Sequence, residues 1–258
     1  MENLDSINKI LQLGTWYHTF EINNIKTKGT YDYTSLVNEL SFPKLDNMKV
    51  LDVGCSDGFF SKYFVEELGA DYVLGVDINK YDSSIAFEVL NSFENEYSAK
   101  YESHNDFDLL SGEYKELGLE NSNKYLFIKK VLGLNIDFEY GSIYNLSKFD
   151  NFDVTFCGSL LEHLRDPITA IEQLYFKTNN FCIIDISNTI KSPFFQRRKA
   201  LLEYTGAGGN FFRYTNDSVK LMMETIGFKN VKILRNQHTR GQSYSLIRGI
   251  NEANFHYI

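Results

Sequence analysis

The sequence predicts an α/β protein built on a doubly wound, mostly parallel sheet of seven strands with the last strand antiparallel. Three observations carry that expectation. Apolar runs of strand length alternate with longer helical patterns through most of the 258 residues, as a parallel sheet with crossover helices requires. One run, "VLDVGCSDGFF" (50–60), carries an acid into a strand end and then turns on Gly54 and Gly58, at the edge of an open sheet where ligands bind. The last two strand-like runs follow each other without a long helix between them, so the second is expected to lie antiparallel to its neighbour.

In chain order, strands are expected at 49–53, 72–77, 136–140, 152–157, 181–186, 230–234 and 243–249. Helices fit 59–68, 123–132, 167–177 and 216–226, the last stopped by Gly227 as a helix C-cap would be. Three segments exceed this minimal pattern: an N-terminal extension (1–44), a polar, acidic insertion (83–122), and 189–215, where "GAGGN" (206–210) reads as a flexible loop between helical pieces. Such excursions supply substrate contacts in α/β enzymes. The chain therefore reads as a single domain over 1–258. Residues 1–44 form a lid or extension, 45–188 a ligand-binding core, and 189–258 a substrate-side segment with the closing strands.

Hydrophobic residues make up 43% and aromatics 15%, enough for one substantial core at this length. No apolar run approaches the roughly eighteen residues of a membrane span, and the start "MENLDSINKI" lacks the features of a signal peptide, so a cytoplasmic protein is expected. Cys55, Cys157 and Cys182 are odd in number and each lies among strand-like residues, which suits reduced core cysteines. The net charge of -8 hides an asymmetry. Residues 1–190 hold 15 basic against 30 acidic residues, whereas 191–258 hold 11 against 4, with six of the seven arginines. That basic segment is either a solvated face or an anion-reading one, since arginine forks suit phosphate and carboxylate.

The turn at 54–58 narrows the ligand. Gly54 and Gly58 let the backbone approach a bound molecule, and Asp77 ends the second strand 19 residues beyond Gly58, placed to accept both hydroxyls of a ribose. A dinucleotide fingerprint needs three glycines, but here the positions read Gly54, Ser56 and Phe59, which argues against NAD. The acid Asp52 disfavours a pyrophosphate and suits a ligand with a positively charged amino group. That points to S-adenosylmethionine.

"VLDVGCSDGFF", "VLGVDI" (73–78) and "FDVTFCGSLLEHLRDP" (152–167) together resemble the class I S-adenosylmethionine-dependent methyltransferases. "WYHTFEI" (16–22), "KKVLGLNIDFEYGSIYNL" (129–146), "GSLLEHLRDP" (158–167) and "RYTNDSVKLMMETIGF" (213–228) extend the resemblance to the branch similar to tRNA wobble-uridine methyltransferases. The resemblance implies that Asp52, Gly54, Ser56 and Gly58 surround the methionine part, that Asp77 holds the ribose, and that Ile78 packs on the adenine. It places Ser142 and Ile143 on the other side of the base, and Cys157 and Gly158 beneath the sulfonium. Many relatives carry Asp where Ser142 stands. Ile78, Ile143 and Cys157 also suit plain core positions.

Methyl transfer needs alignment above all, and a hydroxyl nucleophile gains further from a base. Glu162 and His163, just past the fourth strand, are the catalytic candidates. His163 titrates near neutrality and reads equally as a locally bonded helix-start residue, while Glu162 can instead position a substrate hydroxyl or the cofactor. Tyr17 and His18, beside the only tryptophan, Trp16, could close over a sulfonium or pack into the core. Arg197 and Arg198 are candidates for an anionic substrate. His104, His238 and His256 have no identifiable partners. Asp185 and Asn188 stand close without a companion acid, so no metal is expected.

Three functions remain open. The first is O-methylation of a small polar substrate, in particular a sugar carried on a nucleotide diphosphate. The second is wobble-uridine methylation of tRNA, and the third a non-catalytic cofactor-binding subunit. RNA binding needs broad phosphate neutralisation, which an acidic chain lacks, whereas a few arginines suffice for one diphosphate. The intact glycines and both acids count against the third. Members of the wobble branch that use a carboxylated cofactor resemble a pattern with Tyr where this chain has Glu162. A carboxylate there repels such a cofactor and favours ordinary S-adenosylmethionine. The richness in Asn, Lys, Ile, Phe and Tyr resembles AT-rich bacterial genomes, some of which build O-methylated surface polysaccharides. A small-molecule partner, no membrane and no nucleic acid are therefore expected, with room left for a homodimer.

Overall fold

The computed structural model describes residues 4–14, 16–34, 37, 41–78, 121–187, 190, 200–207, 210–239 and 242–252. A seven-stranded sheet organises them. Its members are β5 (Lys49–Val53), β6 (Tyr72–Asp77), β7 (Ile136–Tyr140), β8 (Phe152–Gly158), β9 (Thr178–Ile186), β12 (Lys229–Thr239) and β13 (Gln242–Ile250), in the spatial order β12-β13-β9-β8-β5-β6-β7. β5, β6, β7, β8 and β9 pair in parallel, and β13 inserts antiparallel between β9 and β12. The strand order reverses between β5 and β8, and the crevice for a ligand opens there.

The strands alternate their side chains between two apolar layers. Val50, Val73, Val154 and Ile183 enter one layer, and Leu51, Leu74, Cys157, Cys182 and Ile184 enter the other. Both faces are thus covered, as a parallel sheet requires, and each fully buried aliphatic or aromatic side chain contributes roughly 1.5–3 kcal/mol. Helices α1 (Leu4–Leu13), α2 (Phe59–Glu66) and α3 (Asn121–Leu132) belong to the first layer, and α4 (Pro167–Lys177) and α5 (Asn216–Ile226) to the second. The start of α4 is written locally: Pro167 at the first helical position, and the Asp166 side chain accepting the Thr169 N–H at 3.0 Å. α5 starts at a Thr215 cap and ends at Gly227, φ 136°. The three cysteines are free and buried. No helix among the described residues is long and apolar enough to cross a membrane.

One expectation is corrected. Residues 202–207 and 210–214 are not loop between helical pieces: β10 (Leu202–Ala207) and β11 (Asn210–Tyr214) pair antiparallel, with Tyr204 opposite Phe212. Within the extension, four short strands, β1 (Trp16–His18), β2 (Glu21–Ile22), β3 (Ile25–Lys26) and β4 (Gly29–Tyr31), follow α1. β1 pairs in parallel with β4, and β2 with β3 antiparallel. A side chain at Gly29 would lie 2.2 Å from the His18 backbone, so only glycine allows that pairing. The insertion at 83–120, with His104, lies outside the described residues, while 121 and 122 already belong to α3.

Candidate active site

Beyond β5 the chain turns through three residues with positive φ: Gly54 (80°), Ser56 (51°) and Gly58 (87°). Backbone hydrogen bonds fasten the turn to the end of β6. Gly54 N–H donates to the Val76 carbonyl at 2.7 Å, and Ser56 N–H to Asp77 Oδ2 at 2.7 Å. Asp77 Oδ1 accepts the Ile78 N–H, also at 2.7 Å. The carboxylate of Asp77 is thus fixed by two backbone donors, and each oxygen keeps a lone pair for a ribose hydroxyl. Burial pushes Asp77 up to about 6, against the pull of these two N–H groups. A Cβ on Gly54 would lie 2.9 Å from Leu160 Cδ2, and one on Gly58 2.8 Å from the Tyr125 ring. The turn therefore has no room for side chains. Asp52, 1% exposed, accepts the Ser61 hydroxyl at 2.6 Å. Burial is the chief reason that its carboxyl is pushed up to about 7, with Asp77 adding to the rise.

The exposure pattern traces the mouth of a cleft. Gly54, Ser56, Asp77, Ile78, Gly141, Ser142, Gly158, Ser159 and Leu160 are all half-buried, while the strands behind them are sealed. Ser142 and Ile143 come next to Asp77, since Gly141 N–H donates to the Asp77 carbonyl at 2.9 Å. Ile143 is itself a core residue. Cys157 is fully buried, and burial drives its thiol well above the usual range; Gly158 is the first open residue at that strand end. Asp52, Gly54, Ser56, Gly58, Asp77, Ile78, Ser142, Ile143, Cys157 and Gly158 are thus gathered along the carboxyl ends of four adjacent strands.

The N-terminal segment is pinned to this turn through Asp57, which sequence reasoning missed. Its buried carboxylate accepts the Tyr17 and His18 N–H groups at 2.9 and 2.8 Å, and pairs with His18 Nδ1 at 2.5 Å. The His18 ring lies among Tyr33, Phe59 and Phe60 at centroid distances of 5.5, 5.2 and 6.0 Å. Trp16 packs on Phe20 and Phe127 at 3% exposure, which makes it core and not a face offered to a ligand. Tyr17 alone of the three is half-buried.

At the other side of the switch point stands an acidic corner. A single 3-10 turn, Leu161–His163, follows β8. It places Glu162 at 2% exposure and His163 half-buried. Asp185, near the end of β9, is also 2% exposed, and Glu162 beside it is the companion acid whose proximity the sequence did not disclose. Burial first, and the nearby Glu162 second, push Asp185 up to about 7. The floor is Tyr214, whose hydroxyl donates to the Leu161 carbonyl at 2.9 Å. Arg197, Arg198 and Asn188 lie outside the described residues, as does His256, and the side chain of His238 is not described.

Residues 25–233 match the model of a family described as a methyltransferase domain. The chain belongs to that family. Its fold is similar to the N-terminal domain of EvdMO1, solved in the presence of S-adenosylhomocysteine and D-fucose (14% identity, 97% of each chain, TM-score 0.60). The chain spans 47% of the chain in a crystal structure of EvdMO1. It is also similar to an O-methyltransferase family protein from Burkholderia thailandensis (10% identity, 84% of this chain and 55% of that one, TM-score 0.53). No curated protein sequence matches the chain. By family this is a methyltransferase domain, and its fold is the class I methyltransferase fold.

Proposed function

We propose that this methyltransferase transfers a methyl group from S-adenosylmethionine to a hydroxyl of a small polar substrate, a nucleotide-activated sugar. The observation that carries the reading is the acidic corner of Glu162 and Asp185, set across the switch point from Asp52 and Asp77. Buried carboxylates with free oxygens receive hydroxyl donors well, and a sugar presents several. The domain of EvdMO1 that shares the fold was solved with D-fucose, which agrees with this substrate class. The chain's charge of -8 opposes a polyphosphate surface as long as tRNA.

The residues divide the work as follows. Asp77 accepts the ribose hydroxyls, with Ile78 on one side of the adenine and Ser142 and Ile143 on the other. Gly54, Ser56 and Gly58 let the backbone close on the methionine part, and Asp52 balances its amino group. When bound, the cofactor supplies an activated methyl on a cationic sulfur. Glu162 faces the substrate hydroxyl, and His163, half-buried at the end of the turn, passes the proton on. Tyr17 borders the cleft from the N-terminal segment, and Arg197 and Arg198 hold the diphosphate. Alignment of oxygen, carbon and sulfur accounts for most of the rate, up to ~7–11 kcal/mol in well-oriented cases.

The test is incubation with methyl-labelled S-adenosylmethionine and a panel of nucleotide sugars alongside unmodified tRNA, read by mass spectrometry. The reading expects a labelled sugar and a shallow salt dependence, since only two phosphates are engaged. A labelled tRNA, lost steeply as salt rises, would transfer the assignment to wobble-uridine methylation.

A further inference from the structure

Glu162 and Asp185 stand 23 residues apart in the chain and meet at the ends of β8 and β9. Each is held by a serine from the other's strand end. Ser187, just past β9, donates its hydroxyl to Glu162 Oε1. Ser159, just past β8, donates to Asp185 Oδ2 at 3.0 Å, while its N–H donates to the Asp185 carbonyl at 2.9 Å. Ser159 adopts a positive φ of 47° to do so. Each acid is thereby fixed through one oxygen. The second oxygens, Glu162 Oε2 and Asp185 Oδ1, are out of solvent and have no hydrogen-bond partner among the described residues.

Two such orphan acceptors do not persist by default, because buried polar groups are almost always partnered. Two neighbouring buried carboxylates also cannot both stay ionised. Among the described residues the groups around them are mostly neutral or acidic. Cys157 and Tyr214 are buried and held in their neutral forms, and Asp52 adds a third acid behind Cys157. His163 adjoins Glu162 in the 3-10 turn, and the Arg165 guanidinium lies over the Phe211 ring at 5.3 Å. Leu160, which borders the Gly54 turn, is two residues from Glu162, so the chain leads from the pair to the Gly54 turn within three residues.

We infer that Glu162 and Asp185 form a proton-sharing carboxylate pair whose free oxygens receive the substrate hydroxyl and take its proton during methyl transfer. The inference rests on the O-methylation reading above and adds Asp185 to the catalytic group. In the resting pair one proton is shared. The substrate hydroxyl donates its hydrogen bond to the free oxygens. As its oxygen bonds to the methyl carbon, the carbon–sulfur bond breaks and its electron pair stays on sulfur, leaving a neutral thioether. The hydroxyl proton goes to the pair, which then holds two protons and releases one to water by way of His163. The charge that leaves the sulfonium is thus balanced by the proton that leaves the substrate.

The experiment compares wild type with Asp185→Asn and Glu162→Gln in two measurements. Infrared difference spectra of the full chain between about pH 5 and 9 need no substrate. Asp52 and Asp77 contribute protonated-carboxyl bands of their own in this range, and both variants keep them. A further band should be present in wild type and lost in each variant, because one proton belongs to both acids; a further band that either variant keeps would overturn the pair. With the nucleotide sugar that wild type methylates, each variant should keep S-adenosylmethionine affinity within a few-fold and lose turnover by ~10²-fold or more. Turnover within a few-fold of wild type would also overturn it. If wild type methylates no sugar in the panel, the substrate reading fails while the infrared result still decides the pair. Should either variant fail to fold, Ser159→Ala carries the test. Removing the donor on Asp185 Oδ2 should move the ascending limb of the pH–turnover profile upward, and an unmoved limb would count against the pair.

Discussion

Asp57 offers the most direct way to separate the N-terminal segment from the rest of the fold. Its carboxylate has no exposure and holds three donors: two consecutive backbone N–H groups, Tyr17 and His18, and His18 Nδ1. In Asp57→Ala all three lose their acceptor together, two of them in a site that water does not reach. Each stranded buried donor costs about 1–3 kcal/mol. Since the three share one acceptor, the losses overlap, and a total of roughly 3–5 kcal/mol is expected, a large part of the ~5–15 kcal/mol of a typical domain. The sheet keeps its own ladder, so the loss should be local. Hydrogen exchange is the assay. The amides of Tyr17 and His18 should exchange far faster in the variant while those of β5, β8 and β9 stay protected. Wild-type protection at 17 and 18, with an unchanged melting temperature, would refute the claim that Asp57 fastens the segment.

Five further outcomes follow from the same geometry. Asp77→Ala strands the Ser56 N–H and removes the ribose acceptor, and should weaken S-adenosylmethionine binding by ~1–3 kcal/mol in calorimetry. Gly54→Val requires a side chain at φ 80° only 2.9 Å from Leu160, so binding should be abolished while circular dichroism shows the sheet intact. Asp52, with its carboxyl near 7 before a ligand arrives, should release close to one proton below that pH when a cationic amino group binds. Calorimetry in two buffers of different ionisation enthalpy reads this directly. Asp52 and Asp185, raised from 3.8 to about 7, hold protons in the native state that the unfolded chain has lost, so stability without ligand should fall as pH rises from about 4 to 7. The slope is at most ~1.4 kcal/mol per pH unit for each group, and Asp185→Asn should flatten it. His163→Ala should keep cofactor affinity within a few-fold and lower turnover by ~10²-fold.

Strands buried on both faces were legible because short runs of mostly apolar, β-branched residues bounded by turn signals leave few alternatives. β5 and β6 match their expected bounds residue for residue, and the expected end of α5 at Gly227 is where it stops. Where partners set the bounds, the local pattern fell short. β9 begins at Thr178, through the polar stretch "TNN", because Thr178 pairs with Phe152 and its hydroxyl meets that of Thr155 at 2.7 Å. The glycines of "GAGGN" suggested a loop, but Gly206 and Ala207 belong to β10 and Asn210 to β11, which pair antiparallel, with Leu202 and Tyr204 exposed on one strand and Phe211 and Tyr214 buried on the other. The cofactor-side residues could be placed because they form one continuous turn with Asp77 beside it. Asp57 and Asp185 could not, since each gains its meaning from a partner 39 or 23 residues away. Asp57 reads locally as a turn residue and Asp185 as a strand end. Only the three-dimensional meeting with His18 and Glu162 distinguishes them.

A crystal structure with S-adenosylhomocysteine bound tests the central claim most directly. The ribose hydroxyls should lie on Asp77, the amino group beside Asp52 and the Gly54–Gly58 turn, and the sulfur should face the corner formed by Glu162 and Asp185. A ligand bound elsewhere, or one whose sulfur points away from those two carboxylates, would contradict the account.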